Sequence, residues 1–132
     1  MTGERGAIPV ELAASVGLLL FPIFVFVMTI APVVERRTVA DRTAAEAVRA
    51  FVVADDAATG LADAQSVVDQ ANANHPYTLS LSLEGDLERG AVVTATVGVE
   101  MPVIIFPGVV EVRVGTYTAS HREAVDQFRS LP

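Results

Sequence analysis

Few residues in this 132-residue chain have the type and spacing to do chemistry, and the most informative is a lone carboxylate. Gly6 is followed by Ala7-Ile8-Pro9-Val10-Glu11, and then by an uninterrupted uncharged run from Leu12 to Val34. A carboxylate at the mouth of such a run is unfavourable in lipid, though less so than the roughly 2.5 to 3.5 kcal/mol of a central charge. Cutting the peptide bond after Gly6 would create an amino group on Ala7, four residues before Glu11. At about 4 Å and an effective dielectric near 20, their attraction is at most about 4 kcal/mol before desolvation is subtracted. Such a pairing, within one chain or between neighbours, is strong enough to guide assembly. The alternative is an interfacial Glu11 that favours a helix N-terminus through the helix dipole.

Catalytic chemistry finds little purchase elsewhere. His75 and His121 stand far apart in sequence, with no cysteine anywhere, no His-x-x-x-His pair and no glycine-rich phosphate loop after a strand. Asp55-Asp56 and Gly85-Asp86 lack the spacing of a calcium loop and read as helix surface and turn. Ser120 next to His121 says nothing about nucleophile geometry. The sequence reads as a non-enzyme, with no catalytic residues, no metal ligands and no cofactor.

The element that must position Glu11 is the apolar run itself. At about 1.5 Å per residue it forms a helix of roughly 34 Å, slightly more than the roughly 30 Å hydrocarbon core of a bilayer. A secretory signal would show a shorter core and a small-residue cleavage site, whereas this run ends in Glu35-Arg36-Arg37. It reads as a retained transmembrane span. Ala13 and Gly17 form a small-xxx-small pair that would let like helices approach closely, although small residues are also common in ordinary spans. Pro22 removes a backbone hydrogen bond in mid-span and predicts a kink or a soft point. Pro32 does the same near the exit.

Beyond the span the pattern stays helical to about Asn72. Ala40, Ala44, Ala47, Phe51, Ala54, Ala58, Leu61, Gln65 and Val68 make a heptad-like stripe, with Gly60 as a place for a kink or a break. Its N-terminal half is expected to meet partner helices and its C-terminal half to cover the protein's own sheet. Asn72 to Pro76 ends the pattern, and the period then changes to two. Leu79, Leu81 and Leu83 alternate with serines, Val93, Ala95, Val97 and Val99 with Thr94, Thr96 and Gly98, and Val110, Val112 and Val114 with Glu111 and Arg113. This predicts three antiparallel strands needing a helix as cover. Met101 to Pro107 is apolar but bounded by prolines, so it is read as a core crossover or edge, or else as an exposed patch. Ser120 with Glu123 has capping-box spacing ahead of Ala124, Val125 and Phe128, and predicts a short C-terminal helix.

The fold class is therefore α+β: a long N-terminal helix, then a small sheet of about three strands packed on it. The expected parts are a leader at 1–6, a spanning helix at 7–34, an amphipathic helical stem at 35–75 and a sheet domain at 76–132. After residue 34 there are 14 acidic residues against 8 arginines, a net of −6 with no lysine, which argues against nucleic acid as a partner. Arg36, Arg37 and Arg42 follow the span while only Arg5 and the initial amine precede it, a distribution that would place the C-terminal part in the cytoplasm.

The N-terminal residues, Gly6 with Glu11 fifth after it and an apolar helix beyond, resemble a type IV prepilin. The order of parts over nearly the full length, with the alanine-arginine-rich helix around Ala44 to Phe51 and the small sheet, resembles the TadE-like proteins of the tight-adherence (Tad, Flp-type) pilus. That resemblance implies a minor pilin or pseudopilin, cut between Gly6 and Ala7 by a prepilin peptidase. Glu11 would be its assembly glutamate, and other pilins and the pilus assembly platform its partners. It implies a single pass through the bacterial membrane, with the N-terminus cytoplasmic and the C-terminal domain outside, against the arginine count. The chain departs from the family pattern in its short leader, with Glu4 beside Arg5, and in Pro9 within the first mature turn.

Overall fold

A computed structural model describes residues 7–106, 110–113 and 115–128; side chains are described for residues 10–103 and 115–128. Two compact units divide the chain, Met1–Val33 and Val34–Pro132. Helix α1, Ala7–Val53, begins in the first unit and ends in the second. It is followed by α2 (Ala57–Asn74) and by strands β1 (Leu79–Glu84), β2 (Val92–Glu100), β3 (Val103–Phe106), β4 (Val110–Arg113) and β5 (Thr116–Ala124). The class is α+β, as the change of period predicts.

In the first unit the helix is apolar all round. Leu18, Leu19, Phe21 and Phe24 are each more than half exposed, and no part of the most apolar stretch is buried within the chain. Its few hydroxyls turn inward: Ser15 Oγ donates to the Glu11 carbonyl at 2.8 Å and Thr29 Oγ1 to the Val25 carbonyl at 2.7 Å. This back-bonding gives each hydroxyl a partner on a helix surface that is otherwise apolar. The helix runs unbroken through Pro22 and Pro32. Among the described residues it is the one helix long and apolar enough to cross a membrane.

In the second unit the helical stem read over 35–75, with Gly60 as the place for a kink or a break, is a helical hairpin whose break comes earlier, at 54–56. α1 stops at Val53, and Asp56 restarts the chain as the N-cap of α2. Its Oδ1 accepts from the amides of Ala58 and Thr59, both at 2.9 Å, and its Oδ2 from Thr59 Oγ1 at 2.7 Å. These bonds, chiefly the Thr59 amide, hold the Asp56 carboxyl below its ordinary pKa. The restart shifts the helical phase. Ala40, Ala44, Ala47, Phe51 and Ala54 are buried as the stripe requires, but in α2 the buried residues are Gly60, Ala64 and Val68, while Ala58, Leu61 and Gln65 are exposed. The N-terminal half of the stem is thus covered by the protein's own second unit, contrary to the expectation that partner helices cover it.

Gly60 is the crossing point of the two helices rather than the break. A Cβ there would lie 2.9 Å from the Phe51 carbonyl oxygen and 3.1 Å from Phe51 Cδ2, so only glycine admits this approach. α2 ends at Asn74 before Pro76, and Asn72 hands the chain on to the sheet. Its side-chain amide accepts from Leu79 N at 2.7 Å and donates to Leu79 O at 3.2 Å, pairing with the first residue of β1 as a neighbouring strand would.

β1, β2 and β5 form an antiparallel sheet in the order β1-β2-β5. Val93, Ala95, Val97 and Val99 of β2 are buried; Phe51, Val52, Ala47 and Val48 of α1, with Ala64 of α2, close over Val93, Ala95 and Val125. Two expectations are corrected here. The third strand of this sheet is Thr116–Ala124, not the valines at 110–114, which form β4 in a separate two-stranded ladder with β3 (Val114 lies outside the described residues). The segment read as a C-terminal helix from Ser120 is the second half of β5. A capping-box spacing worth about 1 kcal/mol loses to nine consecutive pairings with the central strand, Val92↔Ala124 through Glu100↔Thr116.

Candidate functional site

The sequence-predicted residues lie along the first helix. Gly6 is outside the described residues; Ala7 is the first residue of α1, and Pro9 falls in its first turn, where the missing N–H has no helical partner to lose. Glu11 is exposed, and no hydrogen bond or ion pair reaches its carboxylate among the described residues. Ala13 and Gly17 are exposed one turn apart, and a Cβ added at Gly17 would meet nothing within 4 Å. Pro22 is exposed within the continuous helix. Ala13 and Gly17 thus share one helix face while Glu11 points away from it, and all three are exposed among the described residues.

A second cluster escapes sequence reasoning because its partners come from distant elements. Immediately after the apolar run, the second unit opens with Glu35-Arg36-Arg37, and these residues grip one end of the sheet. The Arg36 guanidinium lies over the Tyr77 ring, 4.8 Å from its centroid, and donates to the Glu100 carbonyl at the end of β2. The Arg37 guanidinium lies 5.0 Å from the centre of the Tyr117 ring, and the Tyr117 hydroxyl donates to Asp41 Oδ1 at 3.1 Å. Consecutive helix residues point about 100° apart, so Arg36 reaches the edge at β1 and Arg37 the edge at β5. Each such stacking contributes about 0.5–1 kcal/mol where exposed. The only signal in the sequence is the pair of arginines at the end of the apolar run, the usual position of interfacial anchors.

The electrostatics of the cluster keep both phenols protonated. Burial pushes the Tyr77 hydroxyl above its ordinary pKa, and the nearby Glu35 charge adds to the rise. Glu35 approaches this hydroxyl only loosely: the Tyr77 Oη atom is buried and no acceptor among the described residues meets it in good geometry. Tyr117 is also raised, first by its hydrogen bond to Asp41 and then by desolvation. His75 stacks on Tyr77 with ring centres 5.2 Å apart, and its Nδ1 lies 3.7 Å from Glu35, a contact that becomes an ion pair only when His75 is protonated. An open cleft of about 610 Å³ beside Arg36 is lined by Tyr77, Ser80, Gly98, Glu100 and Thr116. The cluster's polar groups are mostly engaged with one another, an arrangement suited to holding a helix on a sheet.

The residues considered for chemistry are not brought together. His75 sits in the arginine-tyrosine cluster and His121 is exposed on β5, while Asp56 is engaged as a helix cap. Among the described residues no three histidine, aspartate or glutamate side chains gather in a way that could hold a metal ion. Compared with protein-family models, curated proteins and solved structures, the chain matches none of them.

Proposed function

We propose that this protein is a membrane-anchored structural subunit, a TadE-like minor pilin or pseudopilin that supports assembly of a tight-adherence pilus and adhesion through it. The observation that carries this reading is Glu11: one carboxylate on an apolar, uncovered helix, with no partner among the described residues. A charge at that depth needs an answering charge, and in this reading the amine of Ala7, freed when a prepilin peptidase removes residues 1–6, supplies it within the chain or from the next subunit. Ala13 and Gly17 follow within two turns and allow close packing of like helices. The folded second unit is then carried outside the membrane on its span, with the assembly platform and other pilins as partners.

A second reading rests on the arginines. With Arg36, Arg37 and Arg42 after the span, charge counting keeps the folded part in the cytoplasm, as an anchored accessory module that never polymerises. Exchange of Glu11 for alanine separates the two. In the pilin reading the E11A chain inserts into the membrane but is lost from sheared pilus fractions; normal incorporation removes the role given to Glu11.

A further inference from the structure

The three-stranded sheet has two edges, and the chain treats them differently. β1 is covered on its open side: α2 lies against it, and the Asn72 side chain takes the first edge position by bonding both Leu79 N and Leu79 O. β5 has no such cover, since among the described helices and strands only β2 runs alongside it.

The ladder fixes which backbone groups of β5 are left over. In an antiparallel pair the N–H and C=O of one residue point to the same side, and successive residues alternate. Asn72 finds both groups of Leu79 directed away from β2, so Val99, opposite Leu79, directs its own toward β5 and exchanges bonds with Tyr117. The same sense continues to the end of the strand, where the Val125 amide donates to the Ala91 carbonyl at 2.9 Å. Thr116, Thr118, Ser120, Arg122 and Ala124 therefore turn their N–H and C=O outward, and no partner meets these groups among the described residues. An open edge is a template for a further strand, and natural edges are blunted by proline, lysine, a bulge or short length. The nine residues of β5 hold neither proline nor lysine, and they pair with β2 in an unbroken register.

Backbone chemistry and charge set what fits this edge. Unpaired N–H and C=O groups at alternate residues match an extended polypeptide. Arg122 is exposed and makes no ion pair among the described residues, so a carboxylate opposite it is favoured. A second β5 does not supply one: in antiparallel pairing the outward-turned residues oppose one another, and Thr116, Thr118, Ser120, Arg122 and Ala124 include no acid. Glu123 lies on the other face of the sheet, opposite Val93, and favours a basic residue next to that carboxylate.

We infer that β5 is a strand-addition site for a partner polypeptide. The partner's extended segment continues the sheet antiparallel to β5, with an acidic residue opposite Arg122 and a basic residue opposite Glu123. The inference rests on the second unit alone, whatever the protein assembles into.

The test uses the full chain in detergent micelles and one probe, a fluorescent nonapeptide Thr-Lys-Glu-Val-Ser-Val-Thr-Val-Lys. With its Thr opposite Ala124, its first Lys meets Glu123 and its Glu meets Arg122. In the chain alone, the amides of Thr118, Ser120 and Arg122 are expected to exchange hydrogen freely and those of Ala119 and His121 to be protected; saturating peptide should slow the first set about tenfold or more. Thr118→Pro removes an outward N–H that the fold does not use, at a position where an edge strand admits proline. It should keep the melting temperature and weaken peptide binding about tenfold. Arg122→Glu should weaken binding several-fold and regain it when the Glu of the peptide is replaced by Lys. Protection of the Thr118, Ser120 and Arg122 amides before peptide is added overturns the inference, because the chain or a second copy then already covers the edge. Absence of peptide binding, or binding that Thr118→Pro leaves unchanged, overturns it as well. Should Thr118→Pro melt early, Arg122→Glu with the exchanged peptide decides by the same criterion.

Discussion

Replacing Gly60 with alanine sets two effects of known scale against each other. Alanine is favoured over glycine in a helix by up to about 1 kcal/mol. Against this, the new methyl carbon would lie 2.9 Å from the Phe51 carbonyl oxygen, 3.1 Å from Phe51 Cδ2 and 3.2 Å from Ala54 Cβ. The nearest of these atoms is backbone and cannot swing aside, and Phe51 itself is 6% exposed in the core, so relief must come from moving one helix off the other. Overpacking of this kind costs about 1–3 kcal/mol. With the full propensity gain set against it the balance is a loss of up to about 2 kcal/mol, each 1 kcal/mol lost lowering the melting temperature by about 4–8 °C for a body of this size. Far-UV circular dichroism of the full chain in detergent micelles reads it, with Gly17→Ala as the control because nothing lies within 4 Å of that position. A higher midpoint for Gly60→Ala, matching the propensity gain alone, would refute the close crossing of α1 and α2.

The remaining predictions concern protonation and the two tyrosine clamps. Tyr77→Phe removes a buried hydroxyl without a well-placed acceptor, so it should leave stability at neutral pH within about 1 kcal/mol of the parent or raise it; a larger loss would show the hydroxyl to be firmly bonded. Because the folded pKa of Tyr77 is raised, its contribution is complete below the unfolded tyrosine value of about 10 and is lost as pH rises through the higher folded value. Alkaline melting curves should therefore decline less steeply for Tyr77→Phe. Asp56 has the opposite sign: its lowered pKa gives stability that is present above the unfolded value of 3.8 and disappears as pH falls through the folded one. Asp56→Ala should melt earlier at neutral pH and lose less on acidification, and equal acid sensitivity of the two chains would remove the cap from the account.

How much of this molecule could be read from its residues depends on whether the relevant signal is local. β1 and β2 announce themselves, since Leu79, Leu81 and Leu83 and then Val93 to Val99 alternate with small polar residues, and the structure buries those positions to the expected degree. β5 carries no such alternation. Opposite Val99, Val97, Ala95 and Val93 it places Tyr117, Ala119, His121 and Glu123, so its strand state comes from pairing with β2, a long-range effect invisible to a local pattern. The helical stripe fails for a related reason: two adjacent aspartates look like surface, but one of them caps a new helix and resets the phase by which Ala64 rather than Gln65 faces inward. The apolar helix is legible because a long run of uncharged residues is a local signal that needs no distant partner to be recognised. The arginine-tyrosine clamps are not, because Arg36 and Tyr77, or Arg37 and Tyr117, meet only once the helical hairpin and the sheet have formed.

The central claim is that Glu11 sits opposite an amine created by cleavage, and the mass of the native polypeptide tests it most directly. Intact mass spectrometry with N-terminal sequencing, on the chain extracted from the membranes of the cells that make it, is predicted to find a polypeptide beginning at Ala7. A chain that retains Met1 to Gly6 would contradict the account, leaving Glu11 as an interfacial carboxylate of an ordinary anchor.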